Sequence, residues 1–346
     1  MESFSTAWSY KSTIGIKKIL IMLILSFLKR NWFILGIFAA VIFGYNFSAF
    51  VRIINRDGAF FTFIVIFLFF IQGLILEKEK LLSGIKNIKL HIILLFFTFI
   101  FCPLYFFVFV KILPFINNAG VIAGLFALAC IPTTIGTNTI FVSMADGNVS
   151  GSIFNSVISN MTGVFITPLL FSFMLKTTVS TIPLSMLSDI FINLAIRIII
   201  PMGIGMILRN FAISFIDKNK KKFSITCSIS ILFIVLIAIA GSSNTITLDL
   251  VIKLYPIFIF LALSYWTIAL IAYGITNLVG FSHEDKITSV FTSAQKTLAM
   301  GVPLITLYFK DNQEMLGIIL IPLLFYHPWQ IFSSSFMVRI LLRKKR

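Results

Sequence analysis

Long apolar runs alternate along the chain with short polar segments that are rich in lysine and arginine. A helix needs about 20 apolar residues to cross roughly 30 Å of hydrocarbon. Runs of about that length predict ten transmembrane helices, with cores near 33–50, 59–76, 90–112, 119–144, 152–175, 183–208, 223–243, 251–280, 287–309 and 315–338. The apolar segment 19–28 is too short to span and is flanked by basic residues, which predicts a helix lying in the membrane interface.

The composition excludes a soluble protein. Hydrophobic residues make up 59% of the 346 residues, charged residues only 12%, and the mean hydropathy is +1.04. A soluble domain is about 45–50% apolar and about 25% charged. We therefore expect an all-α polytopic integral membrane protein whose surroundings are the lipid bilayer. No metal-ligand spacing, phosphate-binding glycine loop or nucleophile motif occurs in the sequence, so we do not expect an enzyme.

The distribution of basic residues predicts the orientation. The chain carries 28 Lys and Arg residues against 12 Asp and Glu residues, a formal net charge of +16. The basic clusters lie between apolar runs, which excludes a nucleic-acid partner, and most fall on the side of the two termini. Because cytoplasmic loops carry the basic excess, we expect both termini in the cytoplasm and a plasma-membrane location such as the bacterial inner membrane. The opposite side holds few basic residues: Arg52, Arg56, Lys111, Lys176, Lys253 and Lys310.

Prolines recur at matching places in the two halves of the chain, in the third and eighth, fourth and ninth, and fifth and tenth runs. Two successive sets of five spans have opposite orientations in the membrane, which is the inverted-repeat arrangement of secondary transporters. This predicts repeats at 31–176 and 177–340, preceded by a cytoplasmic segment at 1–30 and followed by a basic tail at 341–346. Chance matching of the prolines is the alternative.

The fourth run contains a polar patch, Pro132–Asn138, between two apolar halves. Proline removes a backbone donor and glycine weakens a helix, so we expect a break near the middle of the bilayer. Such a break is tolerated only inside protein or beside a polar cavity. The alternative is a kinked helix whose threonine hydroxyls bond to the preceding turn.

The ninth run carries a lysine, Lys296, about ten residues from either end. A charge at that depth costs about 3 kcal/mol or more and marks a functional position by default; snorkelling of the side chain to the interface is the alternative. Arg197 in the sixth run could instead form a structural pair with Asp189. The fifth run places Ser156 and Asn160 on one helix face, which either holds an ion or bonds a neighbouring helix. In the tenth run His327 is either titratable or structural.

These motifs together resemble the bile acid:sodium symporter (SBF) superfamily, and more closely its SBF-like branch, which includes the sodium/bile acid cotransporter 7 type. The resemblance covers about residues 31 to 340. It rests on Pro132–Asn138, Asp146–Asn148, Ser159–Asn160, Thr167–Pro168, Gln295–Pro303 and Tyr326–Pro328. It implies two inverted five-helix repeats, a panel domain (spans 1, 2, 6 and 7) and a core domain (spans 3, 4, 5, 8, 9 and 10). Discontinuous helices 4 and 9 cross within that core.

The resemblance also implies sites. In the sodium-coupled members an ion is held by a Ser-Asn pair, by fifth-helix hydroxyls and by a ninth-helix glutamate. Thr137 and Asn138 match the pair, and Ser156 and Asn160 match the fifth-helix positions, which makes Asn138, Ser156 and Asn160 possible sodium ligands. The glutamate is missing, and Lys296 lies in the same crossover. Beside a bound cation this change reverses the local electrostatics.

We therefore expect an alternating-access transporter of a small organic anion, with Lys296 in place of a sodium ion and no cofactor other than a coupling sodium ion or proton. Sodium symport is the second hypothesis, and a non-transporting membrane regulator linked to calcium homeostasis is the third. The expected substrate- or ion-binding residues are Thr133, Thr134, Thr137, Asn138, Ser156, Asn160, Gln295, Lys296, Thr297 and His327.

The orientation is testable by labelling. Cysteines introduced near Lys220 and at the carboxyl end should be shielded from an impermeant thiol reagent in intact cells, whereas cysteines near Lys176 and Asp311 should react, because the basic excess marks the cytoplasmic side. Reaction of the Lys220 loop from outside would reverse the orientation and leave the number of spans unchanged.

Overall fold

The computed structural model describes Leu28 and residues 32–76, 87–178, 195–309 and 312–343. These residues are helical with connecting turns and contain no β-strand, which confirms the all-α prediction. The expected interfacial helix at 19–28, except for Leu28, and the first part of the sixth apolar run lie outside the described residues.

The helices are numbered here in chain order. The first half contains α1 (Trp32–Asn46), α2 (Ser48–Ile54), α3 (Ala59–Ile75), α4 (Ile88–Ile112), α5 (Ala119–Cys130), α6 (Gly136–Met144) and α7 (Val149–Thr178). The second half contains α8 (a π-helical turn, Ala195–Ile199, joined to Ile200–Arg209), α9 (Ile213–Gly241), α10 (Leu248–Lys253), α11 (Tyr255–Leu278), α12 (His283–Ala294), α13 (Leu298–Tyr308) and α14 (Gln313–Arg343).

Five of these helices, α4, α7, α9, α11 and α14, are long and apolar enough to cross a membrane. The pair α1 and α2 makes a sixth candidate if it is one span, although its two parts are bent by 92°. Helical residues occupy each of the ten apolar runs, while the ten-span inverted repeat stays a prediction.

Several predicted bounds differ from the observed ones. The first run is not one straight helix, because it turns at Phe47. The eighth run divides at Leu254, and Pro256 lies in the first turn of α11, where a missing backbone donor disturbs no helical bond. Helix α14 continues through Arg343, so the first residues of the expected tail at 341–346 are helical.

In the described part of the chain two π-helical turns occur, and each lies just before a proline. Phe97–Phe101 precedes Pro103 within α4, and Ala195–Ile199 precedes Pro201 in α8. A proline ring clashes with the carbonyl four residues earlier and cannot donate to it. The wider π turn accommodates this local misfit.

Glycines allow α3 and α8 to approach closely. A Cβ atom added at Gly73 would overlap the carbonyl oxygen of Met202, and one added at Gly205 would overlap the carbonyl oxygen of Phe70. Small residues at helix contacts bring backbones together in membranes, where dispersion replaces the hydrophobic effect as the driving force. This contact holds α3 and α8 directly against each other.

Two alanine substitutions on α8 test this packing. Gly205→Ala should lower the free energy of unfolding by about 1–3 kcal/mol, because the added methyl group overpacks the contact. Gly203→Ala is the matched control, since no atom of the described residues lies within 4 Å of a Cβ atom there. It should be neutral or stabilising by up to about 1 kcal/mol. Thermal unfolding of both variants in one detergent gives the comparison; equal melting temperatures would contradict the close contact.

Candidate functional site at two helix breaks

The first break separates α5 from α6. Helix α5 ends at Cys130 and α6 begins at Gly136, so the predicted break is confirmed but shorter than expected. Thr137 and Asn138 lie in the first turn of α6 and are helical. The backbone N–H of Asn138 donates to the Thr134 hydroxyl at 3.3 Å, which satisfies one of the free donors at a helix start.

The second break separates α12 from α13. Residues 295–297 separate Ala294 from Leu298, and Gln295 and Thr297 are extended. The Thr297 hydroxyl caps α13 by accepting from the Ala299 N–H at 3.2 Å. The Thr297 N–H donates to the Pro132 carbonyl at 2.9 Å. The two breaks are therefore in direct contact.

Lys296 joins the breaks by its side chain. Its ammonium donates to the carbonyl oxygens of Ala129 at 2.9 Å and Ile131 at 3.0 Å, and the residue is only 3% exposed. Ala129 lies in the last turn of α5 and Ile131 directly follows that helix, at the end where the helix dipole is negative. Snorkelling of Lys296 is therefore wrong, because the side chain ends inside the protein.

Helix α14 holds the backbone of Lys296. The Gln330 amide accepts from the Lys296 N–H at 2.8 Å and donates to the Lys296 carbonyl at 2.9 Å. The same amide nitrogen lies 2.9 Å from Nδ1 of His327. His327 is buried, and its ring packs edge-on against Phe33 with the centroids 5.7 Å apart. His327 therefore reaches the crossover through Gln330.

Gln295 links the first break to α14. Its Oε1 accepts from the hydroxyls of Thr134 at 2.6 Å and Thr137 at 3.1 Å, and its Nε2 donates to the Ser334 hydroxyl at 3.0 Å. Ser334 in turn lies 2.7 Å from the Tyr265 hydroxyl. Gln295 is fully buried, so its amide is committed to the protein.

Three hydroxyls surround the Asn138 amide. Its Nδ2, which has two hydrogens to donate, lies 3.1 Å from the hydroxyl of Ser152, 3.0 Å from that of Ser156 and 3.0 Å from that of Thr292. All four residues are fully buried. The cluster joins α6, α7 and α12 through polar groups that carry no formal charge.

Asn160 does not join this cluster. Its side-chain nitrogen donates to the main-chain carbonyls of Thr133 at 2.8 Å and Ser156 at 2.7 Å. The Thr133 hydroxyl is buried without a partner among the described residues. Of the three possible sodium ligands, only Asn138 and Ser156 contact each other through their side chains.

Four contributors to this site were absent from the sequence-based set: Ser152, Thr292, Gln330 and Ser334. Helical spacing contains a signal for three of them. Ser152 lies one turn before Ser156, and Gln330 and Ser334 follow His327 at intervals of three and four residues, which places each group on one helix face. Thr292 has no comparable signal, because it faces Asn138 only through the tertiary fold.

Comparison with known proteins supports a transporter. The SBF-like CPA transporter family matches residues 31–343. Sodium/bile acid cotransporter 7 of Danio rerio is 29% identical over 318 residues, covering 89% of this chain and 92% of the relative. The Xenopus tropicalis protein of that name is 30% identical over 277 residues, covering 78% and 79%.

A bacterial relative is also similar over most of its chain. An uncharacterised protein of Pseudomonas aeruginosa is 26% identical over 287 residues, covering 80% of this chain and 83% of the relative. The family match spans nearly the whole chain and includes both helix breaks. The chain is an integral membrane protein that belongs to the SBF-like CPA transporter family, a family of the bile acid:sodium symporter type.

Proposed function

We propose that this protein is a secondary transporter of an organic anion and that the Lys296 ammonium takes the place of a sodium ion. The observation that carries the proposal is the pair of bonds from Lys296 to the carbonyls of Ala129 and Ile131. Carbonyl oxygens at broken helices are the groups that hold coupling ions in transporters. A fixed ammonium can satisfy the same oxygens.

The anion would bind near these half-helices without touching the lysine in this conformation. The Lys296 ammonium and the Gln295 amide are both bonded within the protein. Ile135 and Gly136 at the start of α6 are exposed, and a helix start favours negative charge. The electric field of the Lys296 ammonium would then favour binding of the anion without direct contact.

The proposed mechanism is alternating access in a ten-span inverted repeat with a panel and a core domain and with both termini in the cytoplasm. The helical content of all ten apolar runs and the contact between the broken fourth and ninth runs support this arrangement. In such folds one group of helices moves against the other around a site near the bilayer midplane.

Sodium symport is the second candidate, and the hydroxyl cluster around Asn138 favours it. Rotating the Asn138 amide by half a turn would present its oxygen, together with the hydroxyls of Ser152, Ser156 and Thr292, to a cation. An amide's oxygen and nitrogen have nearly the same shape, so either orientation fits the space. The cluster would then hold sodium without a carboxylate.

Sodium dependence separates the two candidates. Uptake of a labelled bile acid, or of an anion found by thermal-shift screening, is measured in proteoliposomes with sodium replaced by choline at constant pH. We expect unchanged uptake, because Lys296 supplies the positive charge. A loss of more than about tenfold, equivalent to about 1.4 kcal/mol of coupling, would favour sodium symport. Absence of uptake of any screened anion would favour the regulator.

Substitutions of Lys296 sharpen this test. Lys296→Met should lose uptake and should not regain it in sodium, whereas Lys296→Glu restores a carboxylate and should make uptake depend on sodium. Lys286→Met is the matched control, since Lys286 on α12 is partly exposed and bonds only Asn277 among the described side chains. Wild-type uptake by Lys296→Met would contradict the role of the ammonium.

The hydroxyl cluster has its own test. Asn138→Leu should abolish uptake, because three buried hydroxyls lose their shared donor, at a stability cost of about 1–3 kcal/mol that leaves the protein folded. Thr139→Val, one residue further on α6, is the control, since the Thr139 hydroxyl bonds only to the Ile135 carbonyl among the residues described. Uptake and gel-filtration profiles are compared for both. Near wild-type uptake, or failure of Asn138→Leu to fold, would contradict a functional role for Asn138.

A further inference from the structure

A cavity of about 350 Å³ lies away from the helix crossover. Its walls come from the loop at 55–58, the start of α3, the π turn of α8, the end of α9, and from α13 and α14. A smaller cavity of about 200 Å³ shares Asn55, Arg56 and Ile237 with it and adds Arg52. The two cavities form one recess, which we call the arginine recess.

Positive charge dominates the arginine recess. Arg52, Arg56 and Arg197 line it, and Asp57 is its one acidic lining residue. Among the described residues, neither Arg56 nor Arg197 has an ion-pair partner, and Arg52 bonds only uncharged oxygens of Ser48 and Ser243. Asp189, which the sequence offers as a partner for Arg197, lies outside the described residues. Positive charges gathered in a cavity favour binding of an anion.

Local structure holds these arginines in place. Arg197 lies in the π turn before Pro201, and such turns are frequent at functional sites. The buried Asn55 side chain accepts from the Phe61 N–H at 3.0 Å and so ties the loop to α3. The loop that carries Arg56 is therefore anchored to α3, and Arg56 itself is exposed.

The rest of the wall suits an organic anion. Phe61, Ile237 and Leu316 supply apolar surface, and Thr306 belongs to α13. Helix α13 starts at the second break, and Leu298 to Thr306 covers roughly 12 Å at 1.5 Å per residue. One helix thus connects the arginine recess with the crossover that contains Lys296.

We propose that the arginine recess is the outer binding site of the transported anion and that it selects head groups with two negative charges, such as phosphate esters or dicarboxylates. The inference rests on the proposed function and its predicted orientation, which puts Arg52 and Arg56 on the non-cytoplasmic side. Among the described lining residues, three guanidinium groups face one carboxylate, an excess of two positive charges. Guanidinium forks bind paired oxyanion oxygens. Ligand sites are commonly about 300–1,000 Å³, so the recess fits a head group with a short apolar body.

Equilibrium binding tests this site without requiring transport. The probe is inorganic phosphate at a pH where it is a dianion, added to purified protein in phosphatidylcholine nanodiscs at ionic strength held constant with chloride. A ligand that binds only the folded state raises the melting temperature. Arg56→Gln and Arg197→Gln should each weaken this effect by about tenfold in phosphate concentration.

Matched variants identify the source of any effect. Lys253→Gln removes a basic residue of the same predicted side that is 71% exposed and lies outside the recess, so it should keep the wild-type response. Equal responses in the arginine variants and Lys253→Gln would overturn the site. Arg56→Lys keeps the charge and should recover part of the binding, which distinguishes lost charge from a damaged fold.

Two further measurements test which anion occupies the recess and from which side of the membrane the recess is reached. If phosphatidylglycerol in the nanodiscs abolishes the phosphate response, a lipid head group fills the recess, and its use by a transported anion is overturned. Thr62→Cys, in the recess wall, should react with an impermeant sulfonate thiol reagent from outside and be protected by phosphate. Lack of reaction would overturn the outer placement. Failure of the proposed function would instead appear as absence of uptake of every screened anion by the unmodified protein, with the phosphate response of the recess intact.

Discussion

The bonds from the Lys296 ammonium to the carboxyl end of α5 are the interaction on which the candidate site depends. A helix that ends inside a membrane leaves carbonyl groups without partners, and lipid cannot supply them. A buried ammonium has the complementary problem, because burial of an isolated charge is unfavourable. The hydrogen bonds from the Lys296 ammonium to the carbonyls of Ala129 and Ile131 give both the charge and the carbonyl groups their partners. The carbonyl groups at the first break and the ammonium at the second break therefore depend on each other for hydrogen bonds.

Helix α14 turns this local pairing into a rigid crossover. Three of its polar side chains lie at intervals of three and four residues, which places His327, Gln330 and Ser334 along one face. Gln330 bonds the backbone of Lys296, and Ser334 bonds Gln295. The neighbouring Tyr326 hydroxyl donates to the carbonyl of Ala294, the last residue of α12, at 2.8 Å. An unbroken helix thus carries the partners for the broken ones.

The sequence predicted the features that come from chain chemistry and missed those that come from tertiary contact. Pro132 and the run of threonines mark the first break, because proline and hydroxyl side chains change local backbone bonding. The depth of Lys296 within an apolar run predicts a functional position, and that role stays a prediction. Its partners were not predictable, since main-chain carbonyls carry no sequence signature. The role of Thr292 and the separation of Asn160 from Asn138 likewise depend on how α6, α7 and α12 pack.

A cation that is part of the chain changes what can drive transport. In a sodium symporter the ion crosses with the substrate, so its gradient supplies energy, whereas Lys296 cannot leave the protein. Moving one charge across 100 mV is worth about 2.3 kcal/mol, so a dianion entering a negative interior would face about twice that amount. The arginine recess can lower the free energy of a bound dianion at the outer side, but binding there does not change the difference between the two compartments. Under the proposed function, accumulation of a dianion against this potential therefore needs an anion moving the other way or protons that cross with the substrate. Exchange of one anion for another meets this requirement, because the fixed charge of Lys296 serves an anion moving in either direction.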